Sequence, residues 1–476
     1  MHRRRSTFVT FASLALTIAA LLYPARAAFA NGRFPEAQQI AVAPRGGDPN
    51  VIALRTTFGI VMSHDAGKTW TWICEAALGF TGEWDPPIAI TKDGRLWVGL
   101  SDGLRITRDG CASSKVAEFD GDRVTDLAVD ASGENVVVAV SPLDKPAHVA
   151  IVHANGKVEK VGGSFPGFQL TTVETAPSSG KLYVSGAPFG SGPRPHLFVA
   201  DKGKDLVETP LDLPPKANVF VSAIDPKNDA RVLIRTLALA GTDVYVSNDS
   251  GKTFVSKLHI ATLLYGFAKS DDGKTYFVGS GDPNDGVYRS DDRGETWKQI
   301  SKTSVRCLAL QGASLFACST PYRPNGFAIA VSKDGAQTFT TLNAFTDING
   351  PIACDGGAGV ACHDAWPAQK LILNPPPRDA GATDASANAD ASGAIQEADR
   401  DRGESRAHNK GCGCTAAGAE KSNSSAPFLF VFLVLILSVR MDRRYSSLSP
   451  SRSMSSKGRR ALARARAAER RKQPHL

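Results

Sequence analysis

An eight-residue pattern recurs along the chain, and its recurrence limits the fold more than any other feature. "SHDAGKTW" runs from Ser63 to Trp70, "SNDSGKTF" from Ser247 to Phe254 and "SDDRGETW" from Ser290 to Trp297; a looser copy, "SKDGAQTF", spans Ser332 to Phe339. Runs of β-branched and aromatic residues flank the copies, such as "DVYVS" and "GVYRS" before them and "TWKQI" after. Between the runs, Asp accepts hydrogen bonds from nearby backbone N–H groups and Gly294 takes a positive φ without a Cβ clash. The octet reads as a strand, a tight turn and a strand.

Weaker copies fill the gaps: "LRITRDGCASSKV" from Leu104, "HVAIVHANGKVEKV" from His148 and "HLFVADKGKDLVETP" from His196. With Gly59, Val244, Val287 and Ala328 opening the stronger copies, seven units start at steps of about 41 to 48 residues. Every unit also carries two earlier strands, as in "GFAKSDDGKTYFVGS" and "VTDLAVDASGENVVVAVS". Four short strands per period without a helix suit a β-propeller, whose blades bury their faces only against neighbours. A sandwich pair or a β-helix needs another strand count per period. The expected fold class is all-β: a single seven-bladed β-propeller of four-stranded blades from about Arg33 to Leu342, with Thr346 to Asn374 closing or covering the ring. The propeller domain is 31–374.

The ends of the chain have a different character. Residues 1–30 combine Arg3, Arg4 and Arg5, an apolar run and "ARAAFA", which reads as a secretory signal peptide cleaved after Ala30. Residues 375–425 are rich in Ala, Asp, Gly and Ser and cannot bury enough apolar surface to offset chain entropy, so they read as a disordered stalk. "APFLFVFLVLILSV", 426–439, is short for a membrane span, but the "RMDRR" that follows suits a cytoplasmic flank and extension by snorkelling. Residues 440–476 form a basic cytoplasmic tail. The protein is therefore expected to be exported and anchored in the cell envelope at its C-terminus.

The formal net charge of +8 does not make a nucleic-acid binder of it. The tail 440–476 contributes +10 and the signal peptide four Arg, which leaves about −6 on residues 31–439. A mildly acidic exported domain is a poor phosphate binder.

The complete octets resemble the Asp-box, or BNR repeat, of sialidases, sortilin-type receptors and photosystem II assembly-factor propellers. The matching residues are Ser63, Asp65, Gly67, Thr69 and Trp70; Ser247, Asp249, Gly251, Thr253 and Phe254; Ser290, Asp292, Gly294, Thr296 and Trp297; and Ser332, Asp334, Thr338 and Phe339, where the Gly is displaced to Gly335. The resemblance implies that the box is scaffold, holding the outer hairpin of each blade away from any active site. It also offers glycosidase activity as an alternative function. A sialidase needs an Arg cluster, a Tyr nucleophile paired with Glu and an Asp acid; here Arg55 and Arg235 fall in second-strand positions, no Tyr has a recognisable Glu partner, and no catalytic residue is assigned. "GCGC", Gly411 to Cys414, followed by a short apolar helix and an Arg cluster, is similar to the sorting tails of myxobacterial surface proteins, the MYXO-CTERM type. That similarity implies processing or lipid attachment at Cys412 or Cys414.

Six further cysteines suit an oxidising compartment. Cys307 and Cys318 flank the turn "LQGA", Cys354 and Cys362 enclose "DGGAGVA", and Cys74 with Cys111 would tie the first two blades, unless these two are free buried thiols. No metal site and no cofactor are expected.

Second turns offer the candidate working face. They are longer and less alike than the others: "APFGSGPRPH", "GSGDPNDG" and "STPYRPNG". Loops around a propeller mouth commonly carry ligand contacts. The expected binding residues are Phe189, Arg194, Asp282, Asn284, Asp285, Tyr322 and Arg323, joined by Trp84 and Asp85 from the loop between the first two blades. The expected function is a monomeric, surface-anchored, non-catalytic propeller that binds a protein or polysaccharide partner, the alternatives being a glycoside hydrolase or a purely structural envelope protein.

Overall fold

A computed structural model describes residues 34–374, apart from 81–83, 190–194, 214–217, 239–240 and 323–324. The expected signal peptide, stalk, 426–439 helix and basic tail, with Cys412 and Cys414, lie outside the described residues. The described residues fall within one compact unit, Met1–Thr383.

The chain folds as an all-β seven-bladed propeller. Seven antiparallel sheets follow one another, each built from four strands consecutive in sequence. Blade 1 comprises Ala37–Val42, Ile52–Thr56, Gly59–Ser63 and Thr71–Ile73, and blade 7 comprises Cys307–Gln311, Ser314–Cys318, Ile329–Ser332 and Thr340–Asn343. Second strands such as Val136–Val140, "VVVAV", are buried at every position, because both faces of a blade lie against neighbours. The core is correspondingly split into clusters between blades. One joins Trp97 and Leu104 of blade 2 to Val136 and Val138 of blade 3, and another joins Ala223 and Leu233 of blade 5 to Leu264 and Tyr276 of blade 6.

Each octet is the third turn of its blade and is held by its own polar atoms. In the first copy Ser63 Oγ donates to Asp65 Oδ1 (2.9 Å) and accepts from the Gly67 amide (2.8 Å), while the amide and hydroxyl of Thr69 donate to the two Asp65 oxygens at 2.9 and 2.6 Å. The copies at Asp249, Asp292 and Asp334 repeat this arrangement. The Thr69 hydroxyl and amide hold the Asp65 carboxyl at about 2, and Thr253 and Thr338 do the same for Asp249 and Asp334. Two successive residues take a positive φ in every copy. In the first three copies Gly is the second of the pair; in the fourth the order is reversed, with Gly335 (φ 72) first and Ala336 (φ 76) second.

These turns are also joints between blades. A Cβ on Gly67 would stand 3.0 Å from Leu342 of blade 7, one on Gly251 2.7 Å from Leu197 of blade 4, and one on Gly294 2.9 Å from Leu233 of blade 5. The glycine lets the turn of one blade rest on the blade before it.

Ring closure involves no exchange of strands between the first and last blades among the described residues. Blade 1 packs directly on blade 7, with Arg306 Nη2 3.3 Å from Glu36 and Gln311 Nε2 donating to Ala43 O. The largest core cluster lies at this seam, uniting Leu54, Ile60 and Trp70 with Phe316, Ile329, Phe345 and Cys362. The chain then returns as a strap along the outer edge of blade 1. Gly350–Pro351 pairs in parallel with Thr71–Ile73, and the helix Gly357–Leu373 packs on the short helix Glu75–Leu78.

Two disulfides fix the strap, and they correct the expected pairings. Cys74 bonds Cys362 and Cys111 bonds Cys354, so neither Cys354–Cys362 nor Cys74–Cys111 forms. Cys354 and Cys362 stand either side of the helix start, each beside a different blade, which sequence proximity cannot show. Cys74 and Cys111 are accordingly not free thiols. Cys307 and Cys318 sit directly opposite on adjacent strands and are bonded.

Candidate functional site

Strand direction separates two ends of the propeller. The octet turns share an end with the first turns: the amides of Ala66, Ser250 and Arg293 donate to Asn50 O, Ala230 O and Lys274 O. At the opposite end lie the second turns, the starts of the inner strands and the links between blades, as the pairs Ala37↔Thr56, Leu264↔Ser280 and Cys307↔Cys318 show.

The exposed aromatic side chains of the described residues gather at this second end. They are Phe34 (62% exposed), Phe189 (39%), Tyr265 (40%) and Tyr322 (46%), with Leu143 also exposed in the second turn of blade 3. Phe34 and Tyr322 meet edge to face with centroids 4.6 Å apart. The Arg306 guanidinium lies 5.0 Å from the Tyr265 ring centre and that of Arg123 5.9 Å from Phe189. Tyr265, Arg306, Glu36, Phe34 and Tyr322 thus form a continuous patch over the seam between blades 6, 7 and 1.

Other polar groups at this end hold blades together. Arg55 Nη1 donates to Asp85 O and Pro86 O, and Arg235 Nη1 to Leu264 O and Tyr265 O, so each clips its blade to the next. Burial lowers Arg235 to about 10, which leaves it a cation at neutral pH. On the inner strands, Gln39 Oε1 accepts the Ile88 amide, Asp126 Oδ2 the Val173 amide and Thr172 Oγ1 the Val221 amide, each from the following blade. Burial raises Asp126 to about 7. Glu174 lies 3.6 Å from Lys269 two blades away, an ion pair between first strands that are not neighbours in the ring.

The residues expected at the site divide by what they touch. Phe189 and Tyr322 are exposed. Trp84 is half-buried and donates from Nε1 to Gly99 O (2.9 Å), while the exposed Asp85 accepts from Gln38 Nε2 at 3.5 Å. Asp282 shapes its loop by accepting the Asn284 amide (2.8 Å), and the Asp285 carboxylate accepts the hydroxyls of Thr262 and Tyr288. Arg194 and Arg323 lie outside the described residues. Phe34, Tyr265, Arg123 and Arg306 were not expected. The two arginines share a signal, since each immediately precedes an inner strand, Val124–Val129 or Cys307–Gln311.

Burial raises the Tyr322 hydroxyl, and burial followed by the Asp285 charge raises that of Tyr288.

No protein-family profile matches the chain, and no curated protein matches it. Solved structures show a distant likeness. A GH74 enzyme from Niastella koreensis is 15% identical with a TM-score of 0.30, over 64% of this chain and 62% of its own. YCF48 bound to D1 peptide is 13% identical with a TM-score of 0.41, over 60% of this chain and 90% of its own. A puromycin-hydrolyzing peptidase of Mycobacterium tuberculosis is 11% identical with a TM-score of 0.48, over 65% of this chain and 53% of its own. The match spans less than two thirds of the first and third of these proteins.

Proposed function

We propose that this chain is an exported, surface-anchored propeller of the Asp-box type that holds a protein or polysaccharide partner, without catalysis, on the face formed by its second turns. The observation that carries the reading is the gathering of Phe34, Phe189, Tyr265 and Tyr322 at that end, with Arg306 and Arg123 stacked on two of them. Exposed aromatic rings and guanidinium groups are the residue types that dominate binding energy at recognition surfaces. The four octets, alike in hydrogen bonding, support the Asp-box resemblance and keep to the other end of the propeller. Disulfide bonding supports export.

The test is a glycan and peptide array probed with the full chain, followed by titration of the best ligand. Joint replacement of Phe34, Tyr265 and Tyr322 by Ala should weaken binding at least about tenfold with an unchanged circular-dichroism spectrum. Unaltered affinity would place the site elsewhere, and turnover of a sialoside or glucan by the parent protein would make it a hydrolase.

A further inference from the structure

We infer that Cys111–Cys354 is a thiol–disulfide exchange site, open to an external dithiol, through which the C-terminal strap is released from blade 2. Three disulfides are present among the described residues, and they differ in access. Cys74 and Cys362 are 3% and 0% exposed, and Cys307 and Cys318 are 6% and 0%. Cys111 and Cys354 are both partly exposed, at the third turn of blade 2 and just ahead of the strap helix. Exchange needs a thiolate to approach a sulfur in line with the S–S bond, so access decides which bond reacts.

The chain beside Cys111 borders open space. Asp109 and Ala112, on either side of it, line an open cavity of about 270 Å³ together with Arg95, Thr107, Arg108 and Ser114. The Arg108 side chain is mostly exposed there, with Nη2 3.4 Å from Asp93. One thiolate of the dithiol attacks a sulfur of the pair, the Cys111–Cys354 bond breaks, and a mixed disulfide forms. The second thiol of the dithiol then displaces the protein sulfur. Two electrons pass to the protein, the two protons of the dithiol end on Cys111 and Cys354, and the reductant leaves as its own disulfide. Cys74–Cys362 stays closed, so the strap loses its tie to blade 2 while keeping the one to blade 1.

The experiment treats the folded full chain with graded dithiothreitol, blocks free thiols with N-ethylmaleimide and maps them by mass spectrometry. Among the six cysteines of these three disulfides, labels are expected first at Cys111 and Cys354, at a reductant concentration at least about tenfold below that needed for the other four. Amide exchange over residues 353–361 should then quicken while the blades keep their protection. Opening of either other bond first, opening of all three together, or unchanged exchange in the strap would overturn the inference.

Discussion

Trp70 and Trp297 occupy the same position in two octets and make the same hydrogen bond, Nε1 donating to the glycine carbonyl three residues earlier, at 3.0 Å in one and 3.1 Å in the other. They differ in burial. Trp70 is 1% exposed in the core at the seam between blades 1 and 7, whereas Trp297 is only half-buried. Replacing both by Ala, one at a time, therefore holds the hydrogen-bond loss constant and varies the apolar loss. Trp70→Ala should cost about 3–5 kcal/mol and Trp297→Ala about half of that. Unfolding entropy for a domain of roughly 340 residues is about 0.7 kcal/mol/K, so a cost of about 4 kcal/mol lowers Tm by about 6 °C. Trp70→Phe imitates the Phe254 and Phe339 copies and should fall between Ala and the parent. Thermal melts followed by circular dichroism, with urea titrations for the free energies, give the three values. Equal losses for Trp70→Ala and Trp297→Ala would refute the idea that burial between blades, rather than the turn itself, is what the octet's last residue supplies.

Hydrogen bonds from the octet threonines hold Asp65, Asp249 and Asp334 at about 2, below their unfolded range, so their contribution is complete above pH ~4 and disappears as the pH falls toward ~2. Asp65→Asn, Asp249→Asn and Asp334→Asn together should flatten the acid limb of a Tm-against-pH curve; an unchanged limb would show that other groups set it. Asp126 has the opposite sign. Its folded value of about 7 lies above the unfolded one, so stability falls as the pH rises from ~4 to ~7, and Asp126→Asn should be more stable than the parent at pH 8 and equal to it at pH 4. A loss at pH 8 would mean that the charge is favourable where it stands. Cys74→Ala with Cys362→Ala opens a link across 288 residues and should cost about 2–4 kcal/mol with the outer bond intact; a chemical-denaturation midpoint unmoved by the change would show that the strap does not hold the ring closed.

The blades were legible because their signal is local and repeated. Strand, Gly-containing turn and strand recur within about ten residues, and third strands such as Gly103–Thr107, His196–Ala200 and Val287–Ser290 begin at or next to the positions that the repeat marks. Blades lacking the complete octet are just as regular, since what sets their period is a four-stranded sheet whose second strand is buried on both faces rather than the Asp turn. The strap was not legible. Cys354 and Cys362 are close in sequence, and the rule that neighbours pair fails when a helix begins between them and carries each toward a different blade.

Of the proposed site, the sequence carried the end of the propeller and few of the residues. The long second turns lie at the end where the exposed aromatic side chains gather, and Phe189 and Tyr322 emerge from them. Asp282 and Asp285 have the composition of a ligand site, but loops use such side chains to satisfy their own backbone and hydroxyl groups, and these do so. The seam patch has no periodic signal, because it joins the lead-in to blade 1 with parts of blades 6 and 7. Phe34 and Tyr322 touch only when the two ends of the ring meet. Arg306 likewise reaches Glu36 and Tyr265 only across that closure. The continuous patch therefore depends on a closed ring; Trp70 packs in the core at that closure, and Asn349 and the Cys74 disulfide tie the strap to the outer strand of blade 1. Binding at the patch and integrity of the strap should be coupled through blade 1, whereas residues of blade 4, Phe189 among them, lie on the far side of the ring and should respond less.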